Sequence, residues 1–248
     1  MNRALVVALR GASVVAFLLL WEWAARVPIS FNFPSPGATL TALTALLSSG
    51  ALLTATLTSL QSLLLGMGAA VLIGVPLGLV MGVVRPVGRV ARVYLDLLIA
   101  LPTAALIPLV ILSVGISVVS SAVIVFVFSA PFVTMNAYGG VRDVRPRLVE
   151  MARSFDASWG QLFTRIVLPS ALPLILAGIR YALSRAFVGL IVAELLLSPF
   201  GLGRLIMTSR SMFEHDRMFA TVLWTLLLAG VALAGLARLE ARLLRWRA

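Results

Sequence analysis

The chain has 248 residues, of which 61% are hydrophobic and 12% are charged, and its mean hydropathy is +1.08. Soluble domains are closer to half apolar and a quarter charged, so this composition argues against a soluble protein and predicts a membrane protein. The net charge of +11 comes from 20 basic residues that are all Arg and that cluster between apolar runs. A nucleic-acid-binding protein would instead need one contiguous basic face, so we predict no nucleic-acid partner.

Residue types that carry much of the known site chemistry are scarce or missing. The chain has no Cys, which excludes disulfides, thiol catalysis and thiolate metal sites. It has no Lys, which a phosphate-binding P-loop requires, so it cannot hydrolyse ATP by that route. The single His, His215, lies between Glu214 and Asp216, and we interpret this cluster as a solvated loop rather than as a metal site or pH sensor. We therefore predict no metal site and no catalytic residue.

Six apolar runs are long enough to cross about 30 Å of hydrocarbon as helices. In chain order they cover residues 11–27, 57–84, 93–115, 118–137, 172–197 and 218–237. We therefore predict an all-α membrane protein with six transmembrane helices, built as one domain over residues 1–248 with its core at about 57–238. A cleaved signal peptide over the first run is disfavoured, because that run ends in Trp21, Glu22 and Trp23 rather than in small residues.

The Arg residues are shared unequally between the two sides of the predicted bundle. Fourteen of them precede span one or follow spans two, four and six, whereas four lie on the other side. Because positive residues favour the cytoplasmic side, this asymmetry predicts that both termini are cytoplasmic. On the outer side, Ser35 followed by Pro36 is typical of a helix start and predicts a short helix through Leu47 that ends near Gly50.

Small residues recur at every fourth position of span two. They are Gly66, Ala70, Gly74, Gly78 and Gly82. Such a ridge lets another helix approach closely, either within the chain or from a second copy. Pro76 predicts a kink in the same span, and Pro102 and Pro108 predict a disturbance in span three.

The segment 139–171 is too polar to cross a membrane, yet it is patterned. After Pro146, an apolar stripe of helical spacing is formed by Leu148, Met151, Ala152 and Phe155. The opposite face of this helix carries Arg147, Glu150, Arg153 and Ser154.

A second short helix is predicted in the same segment. Ser158 and Gln161 have the spacing of a capping box, and Leu168–Pro169 is expected to end the helix before span five. The segment thus reads as a helix–turn–helix, and it can either rest on lipid headgroups or dock a cytoplasmic partner.

Residues 150–169, with Glu-Met-Ala at their start and a final Ile-Val-Leu-Pro, resemble the EAA loop of binding-protein-dependent ABC importer permeases. Further segments resemble the nitrate/sulfonate/taurine-type subgroup of that family: 33–36, 105–109, 171–173, 178–180 and 191–194. Two positions depart from the family pattern. Asp156 stands where the loop usually has Gly, and Met151 stands where the motif usually has Ala. Asp accepts the left-handed turn that Gly would permit better than most residues do.

The resemblance implies a type I ABC importer permease in the bacterial inner membrane. Its expected partners are a second permease copy in a homodimer, two cytoplasmic ABC ATPase subunits, a periplasmic solute-binding protein and membrane lipid. No cofactor is expected in this chain, since ATP and Mg would be held by the ATPases. The expected activity is inward movement of a small oxyanion, such as a sulfonate, nitrate or taurine, by alternating access. The residues implied in coupling to the ATPases are Leu148, Glu150, Met151, Ala152, Arg153, Ser154, Phe155, Asp156, Leu168 and Pro169.

Two charged residues of span five share one face of the predicted helix. Glu194 and Arg180 fall on a stripe that also holds Ser184, Phe187 and Ile191. A carboxylate in hydrocarbon is costly, so Glu194 must face a cavity or a specific partner. We weigh two interpretations equally for Glu194: the stripe lines the substrate path, or the residue bonds to a neighbouring helix. For Arg180 the structural bond, or snorkelling to the interface, is favoured.

Two other function classes were weighed against the importer. A stand-alone secondary transporter or channel remains the alternative, although such folds often contain internal repeats and none is visible here. An intramembrane enzyme is disfavoured, because the charges within the spans form no nucleophile–base pair. Those charges are Glu22, Arg180, Arg185 and Glu194, and Arg185 lies opposite the stripe on span five.

Overall fold

The computed structural model describes residues 3–27, 33–197 and 199–245, and helices make up nearly all of these ranges. The α-helices are α1 (Arg3–Arg26), α2 (Pro36–Ser48), α3 (Ala51–Val83), α4 (Arg85–Ala100), α5 (Ile107–Val114), α6 (Val118–Arg142), α7 (Pro146–Ser154), α8 (Trp159–Leu162), α9 (Leu168–Leu197), α10 (Gly201–Ser211) and α11 (His215–Leu243). A 3-10 turn over Thr103–Leu106 leads into α5, and a π-helical turn over Phe163–Val167 joins α8 to α9. The predicted all-α membrane fold is confirmed.

Within the ranges that the structure describes, five helices are long and apolar enough to cross a membrane unaided: α1, α3, α6, α11 and the continuous helix Trp159–Leu196. The third predicted span is not one straight helix, which confirms the disturbance predicted from Pro102. Its residues belong to α4 and to the short helical pair Thr103–Val114, which meet at 92°. Pro102 lies at the break, where its missing N–H and its ring interrupt the helix. The six predicted spans are therefore reached only when this bent pair counts as one crossing.

The Arg cluster that follows span two lies on a helix, because α3 ends at Val83 and α4 begins at Arg85. Pro76 lies inside α3, which continues as a helix past it.

The small ridge of α3 packs within the chain, against α6. A Cβ added at Gly78 would meet the carbonyl oxygen of Thr134, and it would lie 2.6 Å from the Cβ of Ala137. A Cβ at Gly66 would meet the carbonyl oxygen of Ala122 in the same way. The ridge residues are all buried. The two backbones therefore approach as closely as the absence of side chains allows.

α9 packs against α6 by the same means. A Cβ at Gly178 would collide with the side chain of Asn136, and one at Gly189 would lie 2.7 Å from the ring of Phe128. α6 is thus held between two helices that both present glycine to it. α3, α6 and α9 form the centre of the bundle.

α1, α2, α10 and α11 surround this centre. The spanning part of α1 has no buried residue and is attached through aromatic contacts. The indole Nε1 of Trp21 donates to the carbonyl of Pro34 at 3.0 Å, and the ring centroid of Trp21 lies 6.4 Å from that of Phe219 on α11. Glu22 is paired within α1 to Arg26 at 2.7 Å, which offsets its charge.

The predicted start of α2 is confirmed. The Ser35 hydroxyl accepts from the backbone N–H of Ala38, and Pro36 occupies the first turn. α2 ends at Ser48, one residue after the predicted Leu47.

Candidate functional site

The polar connection from α6 to α9 contains α7, which begins at Pro146 as predicted. α7 ends in a Schellman motif: Ala157 N donates to Ala152 O at 3.1 Å, and Asp156 N donates to Arg153 O at 3.0 Å. Asp156 has a φ of 52°, the left-handed conformation that this motif demands of its penultimate residue. The substitution of Asp for the family's usual Gly therefore leaves the turn in place.

The second short helix begins as predicted and ends differently. The Ser158 N–H donates to Gln161 Oε1 at 2.9 Å, and the Gln161 N–H donates to Ser158 Oγ at 3.4 Å, which is the expected capping box. Leu168–Pro169 does not end the helix, contrary to the prediction. The π-helical turn Phe163–Val167 carries the chain from α8 into α9. A proline ring clashes with the carbonyl four residues earlier, and that position falls within this wider turn, so Pro169 is accommodated.

The predicted apolar stripe of α7 faces mostly away from the chain. Phe155 is 81% exposed, Met151 51% and Leu148 37%, and Trp159 at the start of α8 is 57% exposed. Ala152, by contrast, is buried in its own chain. Four large apolar side chains thus lie uncovered on a polar loop, which is typical of a surface that meets another molecule.

The other predicted coupling residues lie on two different parts of this region. Glu150 and Arg153 are exposed on α7, and neither forms an ion pair with any other described residue. Ser154 is exposed, and its hydroxyl donates to the carbonyl of Glu150 at 3.1 Å. Leu168 and Pro169 lie in the first turn of α9, where Leu168 packs against the core.

Glu194 is 1% exposed, near the end of α9 remote from α7. Its Oε1 accepts from the hydroxyl of Ser59 on α3 at 2.7 Å, and its Oε2 accepts from the N–H of Gly203 at 2.9 Å. Ser59 Oγ in turn accepts from the N–H of Leu202 at 2.9 Å. Glu194 and Ser59 thereby accept from two of the free N–H groups at the start of α10, Gly203 and Leu202, where the helix dipole also favours negative charge. This network joins α3, α9 and α10.

The remaining predicted path residues lie within the bundle. Phe187 and Ile191 line an apolar cavity of about 200 Å³ between α3, α9 and α11. Ser184 is half-buried on α9. Arg180 lies with one guanidinium N 3.0 Å from Oε2 of Glu240 on α11. The contact does not have hydrogen-bond geometry, so charge rather than an aligned hydrogen bond holds the pair. Arg180 therefore has the structural partner favoured from sequence.

A larger cavity lies on the opposite face of α9, which sequence reasoning did not assign to the path. It measures about 470 Å³ and occupies the bend between α4 and the 3-10 turn. Its walls include Pro102, Phe132, Tyr181, Arg185 and Val188. The sequence offered two signals, Arg185 in the middle of span five and Pro102 in span three. Only the bend at Pro102 shows that these residues line one cavity.

A third cavity opens at the end of the bundle remote from α7. It measures about 530 Å³ and lies between the α2–α3 junction and α10, with Arg204, Arg217 and Glu214 in its lining. His215 is the first residue of α11 and is half-buried, and its Nε2 has no hydrogen-bond partner among the described residues, so the predicted solvated loop is wrong. Among the described residues no three His, Asp or Glu side chains are grouped closely enough to hold a metal ion.

Related proteins point to one family. Residues 74–245 match the family described as the binding-protein-dependent transport system inner membrane component. The aliphatic sulfonates transport permease protein SsuC of Bacillus subtilis (strain 168) is 34% identical over 180 residues, covering 71% of this chain and 65% of SsuC. The taurine transport system permease protein TauC of Escherichia coli (strain K12) is 31% identical over 188 residues, covering 76% of this chain and 68% of TauC. The formylaminopyrimidine transport permease protein ThiX of Halalkalibacterium halodurans is 30% identical over 234 residues, covering 93% and 92%.

Two solved structures share the fold. The MetNI methionine ABC transporter in inward-facing conformations matches with a TM-score of 0.66 at 18% identity, over 77% of this chain and 95% of the matched chain. An amino acid ABC transporter crystallised with histidines matches with a TM-score of 0.61 at 19% identity, over 82% and 97%. These matches confirm the predicted type I ABC importer permease architecture, and the family favours it over a stand-alone transporter. The chain belongs to the binding-protein-dependent transport system inner membrane components, the permease family of ABC importers.

Proposed function

We propose that this permease imports a small oxyanion, a sulfonate in the first instance, by alternating access, and that α7 couples it to a separate ATPase. The exposed apolar face of α7 carries the proposal. Leu148, Met151 and Phe155 present an anchor for a groove on a partner, as helix-in-groove contacts require. Glu150 and Arg153, free of ion pairs in the described chain, can set the register at the rim.

The assembly that follows from this proposal has several components. Two copies of the permease form the path. Two cytoplasmic ABC ATPases hold ATP and Mg, and one of them binds the α7 face of each permease copy. A periplasmic solute-binding protein delivers the solute at the α10 end, where the 530 Å³ cavity opens. In this arrangement α7 and both termini lie on the cytoplasmic side of the bacterial inner membrane. Support for a sulfonate comes from SsuC and TauC, whose names give aliphatic sulfonates and taurine as their solutes.

For Glu194 we favour the structural interpretation over the path. Both of its carboxylate oxygens are occupied by bonds inside the chain. Phe187 and Ile191 face a small apolar cavity, which offers little to an anion. The stripe Ser184, Phe187, Ile191 and Glu194 remains a hypothesis for the path, and transport assays of its variants would decide it.

The test of coupling is a double variant, Met151→Asp with Phe155→Asp, in the complex reconstituted into liposomes with its ATPases and binding protein. Removing two apolar anchors of an interface should weaken ATPase stimulation and uptake by roughly tenfold or more. Both side chains are exposed, so the permease itself should fold. The matched control is Arg147→Ala on the other face of α7, which should behave as the parent. Unchanged stimulation and uptake in the double variant would refute the coupling role of α7.

A further inference from the structure

Arg185 lies near the middle of α9 and points out of the chain. α9 runs from Leu168 to Leu197, so at 1.5 Å per residue Arg185 is about 25 Å from the α7 end and about 18 Å from the other end. Its side chain is exposed, as are Tyr181 one turn before it and Val188 one turn after it. These residues form an outward face on a helix whose other sides are buried against α3, α6 and α11.

The guanidinium of Arg185 is held in place by aromatic groups. Its central carbon lies 5.2 Å from the ring centroid of Phe132 and 5.4 Å from that of Tyr181. One terminal N donates to the hydroxyl of Tyr181 at 2.9 Å. These contacts fix the plane of the guanidinium and use one of its five N–H donors, which leaves the rest of the fork free.

No carboxylate neutralises Arg185 within the described ranges. The four ion pairs there involve Arg26, Arg92, Arg180 and Arg217. Arg180, five residues earlier on the same helix, has Glu240 as its counter-ion, so only one of these two arginines is paired with a carboxylate. A charge at the depth of the bilayer centre is expensive against lipid, and such residues face the bundle interior or a water-filled cavity, or pair with another polar group.

The space in front of Arg185 suits a small solute. The 470 Å³ cavity lies between α9, α6 and the bend at Pro102, with the aromatic pair on one side. A site of this size that combines apolar walls with one fixed charged group is typical of small-molecule binding. The planar N–H fork of Arg matches two oxygens of a carboxylate, sulfonate or phosphate.

We propose that Arg185, fixed by Phe132 and Tyr181, binds the oxyanion group of the solute in the translocation path, and that the path runs along this face of α9. The inference rests on the proposed import of a small oxyanion. It makes Arg185 a specificity-determining residue: solutes with a sulfonate or carboxylate are accepted, and isosteric neutral or cationic solutes are not.

The test measures ethanesulfonate uptake by the complete complex in liposomes, with permease, ATPases and binding protein. Arg185→Gln should raise the KM for uptake, or lower uptake at low concentration, by at least about tenfold, because the charged fork is lost. Arg185→Lys should fall between Gln and the parent, since it keeps the charge and loses the fork. Basal ATPase activity and the elution volume of the complex should stay as in the parent. Arg180→Gln is the control, and its KM should remain within about twofold.

Each outcome decides a different question. If the parent complex takes up no sulfonate, the proposed substrate class is wrong and the inference falls with it. If the parent takes up ethanesulfonate and Arg185→Gln does so with unchanged KM and rate, the inference alone is overturned. If both Arg185 variants lose the permease dimer, the residue is a contact between copies, and its role toward the solute is refuted.

Discussion

At the residue scale, Glu194 acts at the start of a helix to which it does not belong. Its carboxylate accepts from the backbone of α10 and from Ser59, while the same Ser59 hydroxyl accepts from Leu202. Close packing enforces the arrangement, because a Cβ at Gly203 would collide with Glu194 itself. One buried side chain thus fixes the position of α10 relative to α3 and α9.

Replacing Glu194 by Ala should therefore destabilise the fold. The Gly203 N–H and the Ser59 hydroxyl would lose a buried acceptor, which costs roughly 1–3 kcal/mol for each unsatisfied group. The measurement is thermal unfolding of the purified permease, followed by Trp fluorescence. A control is Glu214→Ala, which breaks the exposed pair with Arg217 and should change the unfolding free energy by about 0–1 kcal/mol. A Glu194→Ala protein that melts like the parent but fails to transport would instead favour the substrate path.

Single residues differ in how far sequence could predict them. The left-handed turn at Asp156 was readable from the family pattern, because the motif is local and needs only neighbouring residues. The partner of Glu194 was not, since Ser59 lies 135 residues away and many hydroxyls compete for one carboxylate. Helical periodicity placed Arg185 opposite the stripe. It could not predict a cavity on that face, because the cavity depends on the bend at Pro102.

At the scale of elements, the contact of α3 with α6 depends on missing side chains. Gly78→Ala should separate these helices, because the added methyl would meet the backbone carbonyl of Thr134, which cannot rotate away. Overpacking of this kind costs about 1–3 kcal/mol. We expect a lower yield of folded, monodisperse protein after extraction, measured by fluorescence-detected size exclusion.

Gly68→Ala provides the matched control on the same helix. A Cβ at Gly68 meets nothing within 4 Å, so this change should be neutral, or slightly stabilising because Ala favours the helix more than Gly does. Equal yields for the Gly68 and Gly78 variants would contradict the proposed role of the ridge.

The element boundaries show where sequence reasoning ended. Hydropathy located every crossing segment, because long apolar runs have few other uses. It could not distinguish a straight third span from α4 and α5 meeting at 92°, since both are equally apolar over 93–115. The spacing of small residues predicted the ridge on α3 but not the helix that packs against it. A helix of the same chain and a helix of a second copy can both approach such a ridge, so the sequence could not select α6.

At the scale of the molecule, five unaided crossings and one bent pair predict that both termini share a side. A fluorescent protein that matures only in the cytoplasm should be bright at either terminus. A phosphatase active only in the periplasm should be silent there and active when fused after Met212, at the far end of α10. If the fluorescent protein is silent at both termini, the orientation is the opposite of the predicted one. If the two termini give opposite results, the chain crosses the membrane an odd number of times.

The continuous helix Trp159–Leu196 connects the two ends of the molecule. Its 38 residues extend about 57 Å, from beside the exposed face of α7 to the carboxylate that holds α10. The helix continues through Pro169, so we expect a displacement of α8 by a bound partner to tilt the whole helix about its glycine contacts with α6. The far end would then move in the opposite direction and displace the start of α10, which Glu194 holds.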